Sequence, residues 1–327
     1  MRHGERKRGM LGEKKLGSTT LNNRILWIFL AFIVHFFIIG EIILTLLFTF
    51  ATNKLIPYDS MSDGMVFVLT TYLVTFLPLF IYVFVYTGLT KKNRYIFKSF
   101  LPGNRRNKFT KLLDGIFAGF FTNFLCILVA LLRGDIKLSF DGYLSDIPFY
   151  LIAFLCVMIQ SATEELWTRG FLMERIRVHY PVWLAAVLNA AIFAALHLAN
   201  TGISPIAILN IFMVGFAYSV ATWETGSIWY AIGAHTAWNF TQNLVFGLPN
   251  SGLVSRVSLF RLEAANANDV LFYDTVFGVE GSLPATIVNL GLALWFLYKA
   301  YKKKKLSKFA SSMDHHYGAA KESADEA

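Results

Sequence analysis

The sequence predicts an all-α integral membrane protein, a bundle of about eight transmembrane helices with a polar intramembrane cavity. Of the 327 residues, 55% are hydrophobic and only 16% are charged, a composition that is typical of membrane proteins. The apolar residues come in blocks close to the about 20 residues that a helix needs to cross the hydrocarbon core. Some of these blocks also contain charged side chains, which in membrane helices face a partner or an interior cavity.

Eight apolar blocks follow one another along the chain, and each predicts one helix. They lie at residues 25–52, 65–90, 112–132, 147–168, 182–198, 205–222, 227–247 and 282–300. They divide the chain into a basic N-terminal segment (1–24), a transmembrane domain (25–305) and a C-terminal tail (306–327). The tail ends in small polar residues, GAAKESADEA, and its composition predicts disorder.

The basic residues predict how the helices are oriented. The first 24 residues carry seven Lys or Arg, segment 91–111 carries eight and no acidic residue, and YKKKKLSK follows the last helix. The intervening segments are mixed or acidic. By the positive-inside rule, both termini lie in the cytoplasm, and the expected location is a bacterial plasma membrane. The same alternation argues against a nucleic-acid partner, although the net charge is +9. Segment 248–280 is then the longest one outside the cytoplasm, either a lid or a linker.

The stretch SATEELWTRGF, residues 161–171, places three charges at the end of an apolar block. Glu165 and Arg169 are four residues apart in the order that favours an ion pair within a helix. Glu164 is rotated by about 100° from Glu165, so it faces another direction. It has Thr168 rather than a cation one turn on, and we expect its partner to come from another helix.

Two later blocks offer such partners at helical spacing. Phe193 and His197 are four apart in AAIFAALHLAN, and His235 and Asn239 are four apart in SIWYAIGAHTAWNF. Each pair therefore lies on one face of its helix.

A turn at Tyr180-Pro181 should bring the first of these faces to the depth of Glu164, because proline disfavours helix in the residue before it. Glu164 and His197 are each about 16 residues from this turn, or about 25 Å along two antiparallel helices. We expect the resulting cavity to open from the cytoplasmic half of the bilayer.

The three motifs E-E-x-x-x-R, F-x-x-x-H and H-x-x-x-N stand in this order on separate apolar helices. Together they resemble the CAAX protease and bacteriocin-processing family of intramembrane proteases, over a core of about residues 112–247. The resemblance implies that Glu164 and His197 activate the attacking water, and that His235 and Asn239 stabilise the oxyanion. Glu165 and Arg169 would then hold their helix in place. Thr168 departs from the family, many of whose members have an aromatic residue before the arginine.

The residue types leave metal use open. Two histidines and a glutamate form a familiar catalytic zinc set, so Glu164, His197 and His235 are the candidate ligands. The pattern H-E-x-x-H is absent, and the expectation is a site without a cofactor, with zinc as the alternative.

Other functions also remain open at the level of sequence. The expected partners are the lipid bilayer and a membrane-associated peptide or protein substrate, either CAAX-type or linked to bacteriocins. The alternative is a non-catalytic scaffold or immunity protein that binds a peptide in the same cavity. A transporter is a third class, although no internal repeat supports it.

Several polar or small residues in the helices match no motif, and we expect them to serve packing. They are His35, Glu41, Gly115, Gly119, Asn123 and Asn210.

Overall fold

The computed structural model describes residues 18–103, 107–143, 146–265 and 271–309, with side chains from residue 24 onward. Within these residues, six helices are long and apolar enough to cross a membrane, and Val182–Leu196 is a shorter apolar helix. The predicted fold class, an all-α integral membrane protein with several spans, is confirmed.

Eight principal helices follow one another along the chain, some with a π-helical part inside them. They are α1 (Ser18–Phe32, Ile33–Leu44, Thr45–Leu55), α2 (Asp63–Val68, Leu69–Val74, Thr75–Leu89), α3 (Phe109–Arg133), α4 (Ile147–Glu165, Leu166–Leu172, Met173–His179), α5 (Val182–Leu196), α6 (Pro205–Thr225), α7 (Ile228–Phe240, Thr241–Val245) and α8 (Leu283–Lys302). Each predicted apolar block overlaps with one of them. Because α7 is not among the helices that meet the length and hydropathy required of a span, and α5 is short, the number of spans stays a prediction.

Shorter elements connect the principal helices. These are the helices Arg94–Phe100 and Leu306–Phe309, the 3₁₀ turns Tyr58–Ser60, Lys91–Asn93 and Val279–Gly281, and the strands β1 (Ile136–Phe140) and β2 (Phe260–Ala265). The helix Leu306–Phe309 lies inside the predicted tail, whereas residues 310–327 and 1–17 fall outside the described residues. Helix α1 begins within the predicted N-terminal segment.

The turns between neighbouring helices follow from their sequence. Tyr180, before Pro181, is extended with φ −129° and ψ 158°, and it separates α4 from α5. Helix α6 ends at Gly226 in the left-handed conformation, with φ 70°, which glycine adopts without steric cost. The Ser227 side chain then accepts a hydrogen bond from the Trp229 amide and caps α7. The predicted α4–α5 hairpin is confirmed.

Small residues bring α3 and α7 into close contact. A Cβ atom on Gly115 would lie 2.1 Å from the carbonyl oxygen of Tyr230, and one on Gly119 would lie 2.0 Å from that of Ala234. Gly233 approaches α3 equally closely from the other side. Membrane helices use glycine in this way to let backbones approach. The expected packing role of Gly115 and Gly119 is confirmed, and it fixes the helix that carries His235.

Strands β1 and β2 form an antiparallel pair that the sequence analysis did not predict. Phe140 lies opposite Phe260, and Ile136 lies opposite Ala265. The pair joins the segment after α3 to the segment after α7. It therefore gives the end of the bundle beyond α7 a folded cover.

Amide side chains at the helix ends hold the segment between α7 and α8. Gln242 donates to the Pro249 carbonyl at 2.6 Å, and Asn243 donates to the Leu248 carbonyl at 3.2 Å. Asn210 on α6 donates to the backbone carbonyls of Glu280, at 2.7 Å, and Ser282, at 2.8 Å. The described parts of segment 248–280 therefore form a cover that is hydrogen-bonded to the helices.

We expect cysteine labelling to place Lys92 in the cytoplasm and Val254 outside, because the basic segment 91–111 and segment 248–280 lie on opposite sides by the positive-inside rule. Both native cysteines, Cys126 and Cys156, are buried. Single Lys92→Cys and Val254→Cys variants in whole cells would therefore report these positions with a membrane-impermeant maleimide. Labelling of both variants from the same side would contradict the orientation.

Candidate active site

A buried carboxylate on α4 joins three helices. Glu165 Oε1 accepts from Arg169 Nη1 at 3.0 Å, and the same oxygen lies 3.0 Å from Nδ1 of His235 on α7. Arg169 Nη2 also donates to the Gly215 carbonyl on α6 at 3.2 Å. The side chains of Glu165 and Arg169 are fully buried. The predicted Glu165–Arg169 ion pair is present, and it extends to His235, which the sequence did not reveal.

Aromatic and hydroxyl groups complete the surroundings of the arginine. The Arg169 guanidinium lies 4.1 Å from the centroid of the Phe193 ring, a cation–π contact. The Thr168 hydroxyl accepts a hydrogen bond from Arg169 Nη1 at 2.9 Å. The threonine that departs from the family pattern therefore also stabilises the Arg169 cation. Phe193 supports the Arg169 cation from α5.

Glu164 points away from this ion pair, as the helical rotation predicted. Its Oε1 accepts from Gln160 Nε2 at 2.6 Å. Its Oε2 is buried, and no hydrogen bond from the described residues reaches it. The nearest titratable nitrogen is His235 Nε2, which lies 3.8 Å from Oε2. A buried carboxylate oxygen that lacks a hydrogen bond is costly, and the Glu164 side chain lines a cavity from which a water or substrate group can become its partner.

Gln160 is a site residue that the sequence analysis missed. Its Nε2 donates to Glu164, and its Oε1 accepts from Asn239 Nδ2 at 3.1 Å. It thus connects two of the predicted catalytic residues on different helices. The signal was available, because Gln160 lies four residues before Glu164 and shares its helix face.

His197 lies at the C-terminal end of α5, and a backbone carbonyl of the same helix orients its ring. Its Nδ1 lies 2.8 Å from the Phe193 carbonyl oxygen. Since a carbonyl can only accept, Nδ1 carries the proton, and Nε2 of the neutral ring is left with its lone pair. Among the described residues no hydrogen bond joins His197 to Glu164. Both side chains line one cavity, and the histidine closer to Glu164 is His235.

All four predicted catalytic residues, Glu164, His197, His235 and Asn239, line this cavity, whose volume is about 490 Å³. Its wall includes residues from α1, α2 and α4 to α8, and residues of the segment between α7 and α8. That segment is predicted to lie outside the cytoplasm. The expectation that the cavity opens from the cytoplasmic half therefore does not match this placement. The reason is that His197 ends α5, far along that helix from the Tyr180-Pro181 turn.

Glu280 is a second residue that the sequence analysis missed, because it belongs to the segment after α7. It lines the cavity and accepts from Ser251 N at 2.6 Å, Ser251 Oγ at 2.7 Å and Trp238 Nε1 at 3.1 Å. Burial raises the pKa of the Glu280 carboxyl, while these hydrogen bonds and the nearby His197 oppose the rise. Both carboxylate oxygens are occupied, so Glu280 holds the cover against α7.

The three candidate zinc ligands do not form a ligand set as they stand. The described residues contain no group of three or more His, Cys, Asp or Glu that is placed to hold a metal ion. Nδ1 of His235 is engaged by Glu165, and Nδ1 of His197 by a backbone carbonyl. Glu164 Oε2 and His235 Nε2 lie 3.8 Å apart, but among the described residues His197 does not join them as a third ligand.

Glu165→Gln is expected to destabilise the protein strongly, because it leaves the buried Arg169 without its charged partner. Breaking a buried ion pair from one side costs about 3–5 kcal/mol. The matched control is Asp114→Asn, which breaks an ion pair with Lys111 whose side chains are 53% and 35% exposed. That loss should cost about 0–1 kcal/mol. Thermal unfolding midpoints in detergent would compare the two variants, and equal midpoints would contradict the role of Glu165.

Comparison with known proteins supports the three-motif reading. Residues 146–241 match the family model described as type II CAAX prenyl endopeptidase Rce1-like. An uncharacterized protein of Bacillus subtilis (strain 168), YyaK, is 25% identical over 299 residues, covering 86% of this chain and 96% of the relative. No solved structure matches the chain. The matched segment contains all three motifs, and the resemblance predicted from them is confirmed: residues 146–241 are similar to the Rce1-like family.

Proposed function

We propose that the protein is an intramembrane endopeptidase that hydrolyses a peptide bond with a glutamate-activated water. The observation that carries the proposal is the Glu164 carboxylate. One of its oxygens is buried without a hydrogen bond, and the Glu164 side chain lines a cavity that His197, His235 and Asn239 also line. A general base needs such an oxygen within reach of the proton that it removes.

Water activation would use Glu164 and His197 together. Gln160 fixes the Glu164 carboxylate through Oε1, which leaves Oε2 to accept a proton from water. The lone pair on His197 Nε2 can accept a hydrogen bond from the same water. The water oxygen then attacks the peptide carbonyl carbon, and the proton held by the carboxyl group passes to the departing amine.

The oxyanion would be stabilised from α7. One N–H of the Asn239 amide is held by Gln160, and the second is free to donate to the oxyanion. His235 presents Nε2 toward Glu164 and can donate from it when its ring is doubly protonated. Amide and imidazole N–H groups are the donor types of oxyanion holes.

The cavity is suited to a substrate that comes from the bilayer. Part of its wall is Phe36 and Phe37 on α1 and Phe76 on α2, and α1 is the least buried of the membrane-length helices. A membrane-associated peptide or protein can therefore approach between apolar side chains. With both termini in the cytoplasm of a bacterial cell, the cavity lies toward the outer half of the plasma membrane. CAAX-type and bacteriocin-related substrates are both compatible with this arrangement.

Glu164→Gln should abolish cleavage while the protein remains folded, because the amide keeps the shape of the carboxylate but cannot take up the proton. The assay compares parent and variant in liposomes with a reconstituted pool of membrane peptides and proteins. New termini are identified by mass spectrometry. The matched control, Glu263→Gln on the exposed face of β2, should cleave like the parent. Full activity of Glu164→Gln would refute the assignment. Absence of cleavage by the parent across the pool would favour the scaffold or immunity function.

Asn239→Ala should leave slow but measurable turnover, because one oxyanion donor contributes about 10²–10³ in rate. His235→Ala should behave similarly in the fraction that folds. A strong chelator should not inhibit the parent, since no step in this mechanism uses a metal. The measurement is the cleavage rate with and without the chelator.

A zinc-dependent mechanism would give the opposite results in these variants and with the chelator. Replacing His197 or His235 would then remove metal and activity together. Elemental analysis that finds one zinc per active chain, lost with activity on chelation, would overturn the metal-free mechanism.

A further inference from the structure

Glu41 is a carboxylate that the proposed mechanism does not use. The sequence analysis assigned it to packing, yet it lines the same cavity as Glu164. Its carboxylate makes no hydrogen bond or ion pair with any of the described residues. An ionised group in the middle of an apolar helix costs free energy unless a partner compensates it. The chain itself supplies no such partner within its described parts, so a ligand is the natural source.

The charges around the cavity favour a cationic ligand. Its described wall contains three glutamates, Glu41, Glu164 and Glu280, and no lysine or arginine. Glu280 is occupied by Ser251 and Trp238, whereas Glu41 and Glu164 line the same cavity with no cation among the described residues paired to Glu41. The nearby Arg169 is fully buried against the Phe193 ring and paired with Glu165. A cavity of one charge sign attracts the opposite charge and rejects the same one.

The remaining wall also suits a basic side chain. Four aromatic side chains line the cavity on the side of Glu41. Phe36 and Phe37 lie on α1, as Glu41 does, and Tyr72 and Phe76 lie on the neighbouring helix α2. Aromatic faces attract cations, and apolar walls pack against the methylene groups of lysine or arginine.

An independent observation points to a ligand in the cavity. Tyr218 on α6 lines the cavity and is only 3% exposed. Its hydroxyl makes no hydrogen bond with the described residues and is not among their buried unpartnered atoms, so it faces the cavity. A hydroxyl placed in this way is free to bind a polar group of a molecule that enters the cavity.

We propose that Glu41 forms a subsite for a basic side chain of the peptide substrate, close to the bond that is cleaved. That the bound peptide is a substrate rests on the proposed endopeptidase function. Binding of a basic side chain at Glu41 does not depend on it. The substrate is therefore a peptide with lysine or arginine near the site of cleavage.

The test measures binding rather than cleavage. Short leucine-alanine peptides, capped at both ends and carrying a neutral fluorophore, differ only in a central Lys, Gln or Glu. The full-length protein is held in nanodiscs of uncharged lipid. The parent should bind the Lys peptide at least about tenfold more tightly than the Gln peptide, as expected for one close desolvated ion pair. The Glu peptide should bind most weakly, because its charge has the same sign as the glutamates of the wall.

Three variants assign this preference to one residue. Glu41→Gln should bring the Lys to Gln affinity ratio close to one, and Glu41→Lys should reverse the preference toward the Glu peptide. The control Glu263→Gln should keep the parent ratio. A gain of affinity for the Glu peptide cannot come from misfolding, so the reversal separates charge recognition from damage to the fold.

Similar binding of all three peptides by the parent would overturn the proposal. An unchanged ratio in Glu41→Gln that unfolds at the parent temperature would also overturn it. A failure of the endopeptidase proposal alone would give a different result. If the parent and Glu164→Gln both fail to cleave while the Lys preference depends on Glu41, the subsite stands and the endopeptidase proposal falls.

Discussion

The arrangement of the site depends on the fully buried contact of Glu165 with Arg169 and His235. One carboxylate oxygen lies 3.0 Å from a nitrogen of each partner, and Arg169 reaches the backbone of α6. Helices α4, α6 and α7 are thereby held by one charge-assisted set of hydrogen bonds. In an apolar environment such a set contributes mainly through the cost of disrupting it, since each member would be left buried without its counterpart. The positions of His235 and Glu164 follow from this contact.

Two further constraints act on α7 from other directions. Gly115, Gly119 and Gly233 bring its backbone against α3, and Gln242 and Asn243 attach its end to the cover. The first constraint is van der Waals packing and the second is hydrogen bonding, which are the interactions that associate helices in membranes. Helix α7 is therefore fixed along its length, and Asn239 and His235 are held in place before a substrate binds. In the proposed mechanism this preorganisation would make the two residues effective oxyanion donors.

Much of the fold and part of the site could be predicted from the sequence. Apolar blocks predicted the eight helices, and spacing within one helix predicted the Glu165–Arg169 pair, because neighbours at four residues are fixed by helix geometry. Contacts between side chains on different helices were harder to predict. The expectation paired Glu164 with His197 by depth, yet His235 is the closer histidine, since depth along a helix does not determine rotation about its axis. Glu41 and Glu280 could not be assigned, because no periodicity relates α1 or the segment after α7 to the site.

Glu164 and Glu165 are adjacent on one helix, yet they face different surroundings and have different proposed roles. Glu165 is fully buried in the interior of the bundle, where a cation and an imidazole contact one of its oxygens. Glu164, about 100° around the helix, lines the cavity, and Gln160 contacts one of its oxygens. The second oxygen of each carboxylate is buried without a hydrogen bond, so access to the cavity is what distinguishes the two residues. The chemistry of the carboxyl groups is identical, so the difference in role comes from their surroundings alone. An exchange of these roles would require rotating α4, which the contacts of Arg169 with α6 and of Trp167 with the Leu79 carbonyl on α2 prevent.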